Sequence, residues 1–266
     1  MKSDPSHEKV SVTSRALKVL AAFEGTVGVL SVAIISKKTG LPLSTTYRLV
    51  HELEAWGGLR RNHDGDYQIG MRIWELGQLA GRRLRDRAHP YLQDLFELTH
   101  ENVHMAVREG LHSLYVDKVY GTKKLPRISR VGGRLPLHAT AVGRVLLAAE
   151  PDWFVDKYLE RELEAPTRKT VTDAKQLKQV VADVRKEGRS ITLEQMRLGQ
   201  CSVAYPIVVD GQVIASVGLV IDVNRQGEIS RLVPLLVASC QRIEASLEKV
   251  KEAFSKNRYK SGLIDI

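Results

Sequence analysis

Two cysteines among 266 residues, Cys201 and Cys240, are too few for a disulfide framework and lack the spacing of a metal site. A reducing cytoplasm is the setting this predicts. Long apolar runs are missing as well. The most apolar long window, Val19 to Ile35, is interrupted by Glu24, Gly25 and Gly28, which excludes a bilayer span. The first ten residues, MKSDPSHEKV, hold no apolar signal core, so no membrane partner is expected. There is no low-complexity tract and no internal repeat. No Ser/His/Asp ordering, phosphate-cradling glycine loop or paired-carboxylate arrangement stands out. The expectation is therefore a protein that is not an enzyme, with no catalytic residues, no cofactor and no metal.

What is present is the composition of a folded protein, 43% apolar and 27% charged. The length predicts two domains, each large enough to bury a core. The net charge is +9, which favours polyanionic partners. Residues 1–90 carry 14 Lys/Arg against 9 Asp/Glu, and the other 176 residues carry 26 against 22, so the N-terminal third is the more basic per residue.

That third contains the most informative stretch, Ser31 to Gly70. Ser31 is placed to cap a short helix that Gly40 closes, because glycine readily takes the positive φ of a helix end. Pro42 suits the start of the next helix, with Ser44 or Thr45 as its cap. Thr46, Leu49, Val50, Leu53 and Trp56 form its buried stripe. The opposite face shows Ser44, Thr45, Tyr47, Arg48 and His51, the hydroxyls, amphipathic rings and arginine of a helix that reads a major groove. Arg48 is the candidate for a paired contact to guanine. Leu59–Arg61 and Tyr67–Ile69 predict a hairpin around Asp64-Gly65, whose Arg60 and Arg61 can meet phosphates. With a first helix from Ser14 to Gly25, this is a winged helix-turn-helix for double-stranded DNA.

The predicted organisation is a tail at 1–10, a winged helix-turn-helix at 11–70, a linker helix at 71–88, a second domain at 89–255 and a tail at 256–266. Arg82, Arg83, Arg85 and Arg87 crowd the linker's end, either as a solvated face or as contacts to a partner subunit and phosphates. Pro90 permits a fresh helix start. The second domain reads as α+β. Strands are expected at Val103–Val107, at Leu114–Tyr120 with an irregularity near Asp117-Lys118, and at Arg127–Val131. A helix opens near Thr140 and runs to about Ala149, with others at Asp152–Arg161 and Asp173–Lys186, each opened by a capping acid. Further strands follow at Ser190–Leu193, Val203–Val209 and Val213–Ile221, then a last helix from Glu228. Cys201 reads as a small buried residue and His138 as a hydrogen-bonded structural one. Glu194 can pair with Arg197 or with a ligand.

One motif points to another class. His100-Glu101-Asn102-Val103-His104 matches H-E-x-x-H, so the alternative is a zinc-dependent hydrolase. That chemistry needs both imidazoles on one helical turn, about 6 Å apart. A strand, which the alternation here predicts, would hold them roughly 13 Å apart.

Taken in order, the segments resemble the IclR family of bacterial transcription regulators. The resemblance rests on Ser14-Arg15-Ala16-Leu17 with Val19-Leu20, Thr39-Gly40-Leu41-Pro42 with Ser44-Thr45 and Arg48-Leu49, and Tyr67-Gln68-Ile69-Gly70. It continues through Arg130-Val131-Gly132, Leu135-Pro136-Leu137-His138-Ala139-Thr140-Ala141 with Gly143, and Gly199 with Val203-Ala204 and Pro206. It implies a homodimer or dimer of dimers on a palindromic operator, and a second domain similar to a GAF fold that binds a small effector. Members that take small carboxylates tend to have an acid near 192, a thiol or hydroxyl near 202 and serines near 218 and 220. This chain has Thr192, Ser202, Gly218 and Val220. The expected effector is therefore a flatter, more apolar ligand, an aromatic acid or a related aromatic compound, whose carboxylate meets the start of the helix at Thr140, Ala141 and Val142. Thr192, Glu194, Ser202, Gly218 and Val220 complete the expected site, and control of catabolic genes the expected role.

Overall fold

Ser11 starts the first helix, α1 (Val12–Ala21), its hydroxyl accepting the Ser14 N–H at 3.0 Å. Ser31 caps α2 (Val32–Thr39) in the same way through Ile34, and Gly40 closes it at φ 69°. The computed structural model describes residues 11–24, 26, 28–79, 82–121 and 130–260, and the chain divides into two compact units between Arg82 and Arg83. In the first unit α3 (Leu43–Ala55) follows α2 across a three-residue turn. Its cap is Pro42, not Ser44 or Thr45, and no side chain caps it. The helix begins early enough that Thr46 is already a turn inside, buried, with its hydroxyl donating to the Pro42 carbonyl at 3.1 Å.

Val19, Ile35, Leu49 and Val50 close the three-helix core, and β1 (Leu59–Arg61) and β2 (Tyr67–Ile69) add Leu59 and Tyr67 to it. Leu30 pairs with Tyr67 through two backbone hydrogen bonds, so the hairpin is anchored to the loop before α2. Gly70 permits the chain to pass the end of α3: a Cβ there would lie 2.1 Å from the Gly57 carbonyl oxygen. Trp56 does not join the buried stripe. It caps α3, stays exposed, and stacks its ring over Gly58 and under the Arg72 guanidinium of α4 (Met71–Leu79).

The expected linker is helical on both sides of Ala80 and Gly81, which lie outside the described residues: α4 before them and α5 (Arg82–Thr99) after. Pro90 does not start a helix but sits inside α5. It forfeits one backbone hydrogen bond, yet Ala88, Leu92 and Leu95 on either side are all buried in the core of the second unit. Packing outweighs the local preference.

The second unit is built on one antiparallel sheet of order β5-β4-β3-β8-β7-β6. Its strands are β3 (Asn102–Glu109), β4 (His112–Val119), β5 (Arg134–Pro136), β6 (Ser190–Leu193), β7 (Gln200–Val209) and β8 (Gln212–Asp222). The strand expected at Arg127–Val131 lies mostly outside the described residues. Arg130 and Val131 belong to a turn in which Gly132 N–H donates to the Tyr115 carbonyl, and the third strand comes three residues later as β5.

Alternation along each strand separates two cores. Met105, Val203 and Leu219 pack with α5 and the final helix α9 (Ile229–Lys260), which extends into the expected C-terminal tail. Ala106, Tyr115 and Ala204 pack on the other face with α6 (Ala141–Ala148), α7 (Asp152–Leu159) and α8 (Ala174–Glu187). Asp173 caps α8 as expected, whereas the cap of α7 is Pro151 and Asp152 pairs with Arg185 instead. The architecture is α+β. Among the described residues no helix is long and apolar enough to cross a membrane.

Candidate functional site

The candidate DNA surface lies along α3 and the hairpin of the first unit. Ser44, Tyr47, Arg48 and His51 are exposed, Thr45 is half-buried, and Leu49 and Val50 on the opposite side are buried. The helix is thus held by one face while the other stays open, which is the arrangement that groove insertion demands. Arg60 and Arg61 are both exposed on β1. They differ in freedom: Arg61 donates to the Gly65 carbonyl at 3.3 Å and lies over the Tyr67 ring, so it also braces the hairpin.

In the second unit the strand register lays out a floor beneath α6. Thr192, Ser202, Val220 and Asn102 stand side by side across four strands. The next row, about 7 Å away, is Ala204, Gly218, His104 and Lys118. Over these rows lies a cavity with about 660 Å³ of empty space, roofed by Thr140, Ala141 and Val142 and walled by Gln195, Met196 and Arg197.

Seven of the eight expected effector positions line it: Thr140, Ala141, Val142, Thr192, Ser202, Gly218 and Val220. Glu194 does not. Its carboxylate pairs with Lys169, not with Arg197, and accepts from the Gly199 N–H at 2.8 Å, and these contacts hold its pKa below the usual glutamate range. It closes the turn between β6 and β7, with its backbone at φ 54°.

Gly218 is a glycine for a steric reason. A Cβ there would come within 2.9 Å of the Val142 methyl and 3.2 Å of the Val203 carbonyl oxygen. Where a hydroxyl would stand on this strand, a valine methyl from α6 fills the space. Gly143 is equally constrained, since a Cβ would meet the Leu137 carbonyl oxygen at 2.4 Å. That tight passage lets Thr140 cap α6 by accepting from the Gly143 N–H at 3.0 Å, while its hydroxyl donates to the Pro136 carbonyl at 3.4 Å. The Thr140 hydroxyl is therefore committed to the cap. The N–H groups of Ala141 and Val142 donate to no described group and are the open donors of this helix end.

Polar lining groups that the sequence had not brought together come from β3, β4 and the β6–β7 turn. The register slips between Met105 and Ala106, leaving Val116 as an extra residue in β4. Without the slip Tyr115 and Lys118, three residues apart, would face opposite sides; with it both line the cavity. The irregularity expected near Asp117-Lys118 is this bulge. His104 packs edge-on against Tyr115 at 5.5 Å. Burial, and secondarily the Lys118 charge, pushes its pKa down to about 3, so its imidazole is neutral near pH 7.

His104 lies within β3 and His100 follows the end of α5, so the helical turn needed by the zinc signature is not formed. Among the described residues no cluster of His, Cys, Asp and Glu is arranged to hold a metal. His138 is a structural residue, buried and bonded to the Tyr158 hydroxyl at 2.8 Å and the Glu164 carbonyl at 2.8 Å. Cys201 and Cys240 are both buried, and burial raises both thiol pKa values.

Two cations, Lys118 and Arg197, line this space, and among the described residues no carboxylate does. Behind it lies Arg144 of α6, buried with no carboxylate partner among the described residues; burial lowers its pKa to about 10, so it is still charged at neutral pH. A low-dielectric cavity with this balance favours an anion.

Comparison with known proteins agrees with both halves. Residues 12–63 match the IclR helix-turn-helix domain, and residues 77–245 match the bacterial transcriptional regulator IclR C-terminal domain. The Pca regulon regulatory protein of Pseudomonas putida is 33% identical over 235 residues, which is 85% of this chain and 80% of that protein. Transcriptional repressor IclR of Escherichia coli is 32% identical over 201 residues, covering 73% of each. Among solved structures, an IclR homologue from Microbacterium hydrocarbonoxydans complexed with 4-hydroxybenzoate superposes with a TM-score of 0.85. It is 29% identical, covering 90% of this chain and all of the other.

Proposed function

The chain belongs to the IclR family of bacterial transcription regulators, and from that premise we propose that it senses an aromatic acid and adjusts its hold on DNA accordingly. The family's members are transcriptional regulators rather than enzymes. The observation that carries the ligand class is the cavity's charge balance together with two changes in its floor: two cations and, among the described residues, no carboxylate, with Gly218 and Val220 where hydroxyls would recognise a smaller, more polar acid. A flat ring fits the floor, and its carboxylate fits the open N–H groups of Ala141 and Val142. The 4-hydroxybenzoate held by the Microbacterium homologue lends this reading support.

Arg48 is proposed to read one base pair, with Ser44, Thr45, Tyr47 and His51 flanking it and Arg60 and Arg61 on phosphates. A homodimer, or a dimer of dimers, would place two reading helices on a palindromic operator in genes for aromatic catabolism. The ligand changes DNA affinity only if it binds the DNA-competent and incompetent arrangements differently.

Thermal shift with a panel of small acids tests the sensing half, since selective binding to the native state raises the melting temperature. Benzoate or 4-hydroxybenzoate should raise it at concentrations where glyoxylate and pyruvate do not, and the same compound should shift a footprint on the operator. The reverse ranking would overturn the aromatic assignment.

A further inference from the structure

We propose that Gln195 is the side chain that selects for a carboxylate oxygen on the effector, its carboxamide locked with the NH2 end towards the cavity. The inference rests on the reading of this cavity as the effector site, and goes beyond it by assigning a specificity residue outside the floor and the helix end.

Three contacts fix Gln195 from behind, and a fourth holds its neighbour. Its backbone carbonyl accepts from the Thr170 hydroxyl at 2.6 Å, and the neighbouring Glu194 carbonyl accepts from Thr167 at 2.7 Å. Its side-chain Oε1 accepts from Arg144 Nη2 at 2.9 Å and from the Val171 N–H at 2.8 Å. Both of the latter partners can only donate, so chemistry decides which end of the amide is which. The oxygen faces Arg144 and Val171. The nitrogen, carrying two donors, has no partner among the described residues, and the residue lines the cavity.

The backing residue strengthens the point. Arg144 also donates to the His138 carbonyl, Nε to oxygen at 2.6 Å, and meets no acid among the described residues. A glutamate at 195 would satisfy Arg144 as well as glutamine does and would neutralise it. A glutamine leaves the positive charge uncancelled and turns donors, not acceptors, towards the ligand. Such a site accepts an anionic oxygen and discriminates against a donor in the same place, because a wrongly paired polar group shielded from water goes unsatisfied. Arg144 is then a positioning residue, acting through Gln195.

The test is the ratio of benzoate to benzamide affinity, measured by titration calorimetry on the full-length chain. Gln195→Glu retains an oxygen for Arg144 and for Val171 while replacing the NH2 donors with an acceptor. Its benzoate-to-benzamide ratio should fall at least about tenfold relative to the parent. Gln195→Met, which has no charge to misplace, should weaken benzoate more than benzamide and decides the matter should the glutamate variant fold poorly. Arg144→Lys keeps the charge but not the two-point grip, and should lower the same ratio to a lesser degree. A ratio within about twofold of the parent in both Gln195 variants overturns the inference, whatever happens to absolute affinity. Failure of the parent protein to bind either compound overturns the effector-site reading itself, and this inference with it.

Discussion

In the first unit the candidate DNA contacts stand on the outside of a finished fold; in the second the candidate effector contacts are part of the core. Tyr47, Arg48, His51 and Arg60 are exposed, and no buried cluster includes them. Thr140, Val142, Thr192 and His104 are buried, and Ala141 and Val142 also belong to the cluster that holds α6 to the sheet. The difference teaches where function and stability separate. A change on the reading helix should alter binding and leave the fold alone. A change around the cavity should alter both at once, because a ligand site enclosed by packed elements has no inert wall.

The sharpest way to break that contrast is at Gly143. Gly143→Ala places a Cβ 2.4 Å from the Leu137 carbonyl oxygen and 2.5 Å from the Thr140 hydroxyl, against backbone that cannot give way without moving the cap. The expected loss of stability is about 3 kcal/mol, the upper end for overpacking, read as a lower denaturant midpoint for the second unit. Effector binding should be lost with it, since the Ala141 and Val142 N–H groups move. A stable variant that still bound effector would show that the cavity is less tied to the core than the packing implies.

Arg48→Ala is the converse. It should cost about 1–3 kcal/mol of specific DNA binding and relax preference at one base pair, with unfolding changed by less than about 0.5 kcal/mol. Arg60→Ala should instead weaken binding to all sequences alike and lower the salt slope by about one. Arg60 is a cleaner probe than Arg61, whose contacts with Gly65 and Tyr67 also brace the hairpin. Full operator affinity in Arg48→Ala would remove it as the sequence reader.

The same contrast explains what was legible in the residues. The first unit's site is one continuous stretch, so helical period, a glycine stop and an Asp-Gly hairpin were enough to lay it out. Its misplacements, the cap at Pro42 and the exposed Trp56, are terminal details that sequence rules leave loose. The floor of the cavity was found at Thr192, Ser202, Gly218 and Val220 through family resemblance, not through any local pattern. His104, Lys118 and Gln195 were missed because what joins them is non-local. His104 and Lys118 meet through strand pairing, Lys118 faces inward only because of a bulge, and Gln195 is aimed by an arginine 51 residues away. Pro90 failed as a boundary for the same reason, since the burial of Ala88, Leu92 and Leu95 is decided by the sheet they pack on.

His104 sharpens the comparison at its subtlest point, because it lies in both the core and the cavity. Its pKa of about 3 in the folded chain lies well below the ordinary value of 6.5, chiefly through burial and then through Lys118. The unfolded chain therefore binds the extra proton between those limits and the native chain does not. Stability from this group is fully present above about pH 6.5 and is lost as pH falls towards 3, with a slope of about 1.4 kcal/mol per pH unit. His138, also depressed by burial, acts in the same direction. Chemical denaturation of the second unit between pH 7.5 and pH 5 should show a loss of about 2 kcal/mol from His104, and His104→Gln should remove that part of the slope while leaving the share due to His138. Ligand affinity provides the second readout. If the cavity and core are one structure, filling the site should raise the denaturation midpoint across this whole range, and the unliganded protein should be the more acid-sensitive form. An unchanged slope in His104→Gln would mean that the imidazole reaches solvent before the fold gives way, and that the cavity opens independently of the core around it.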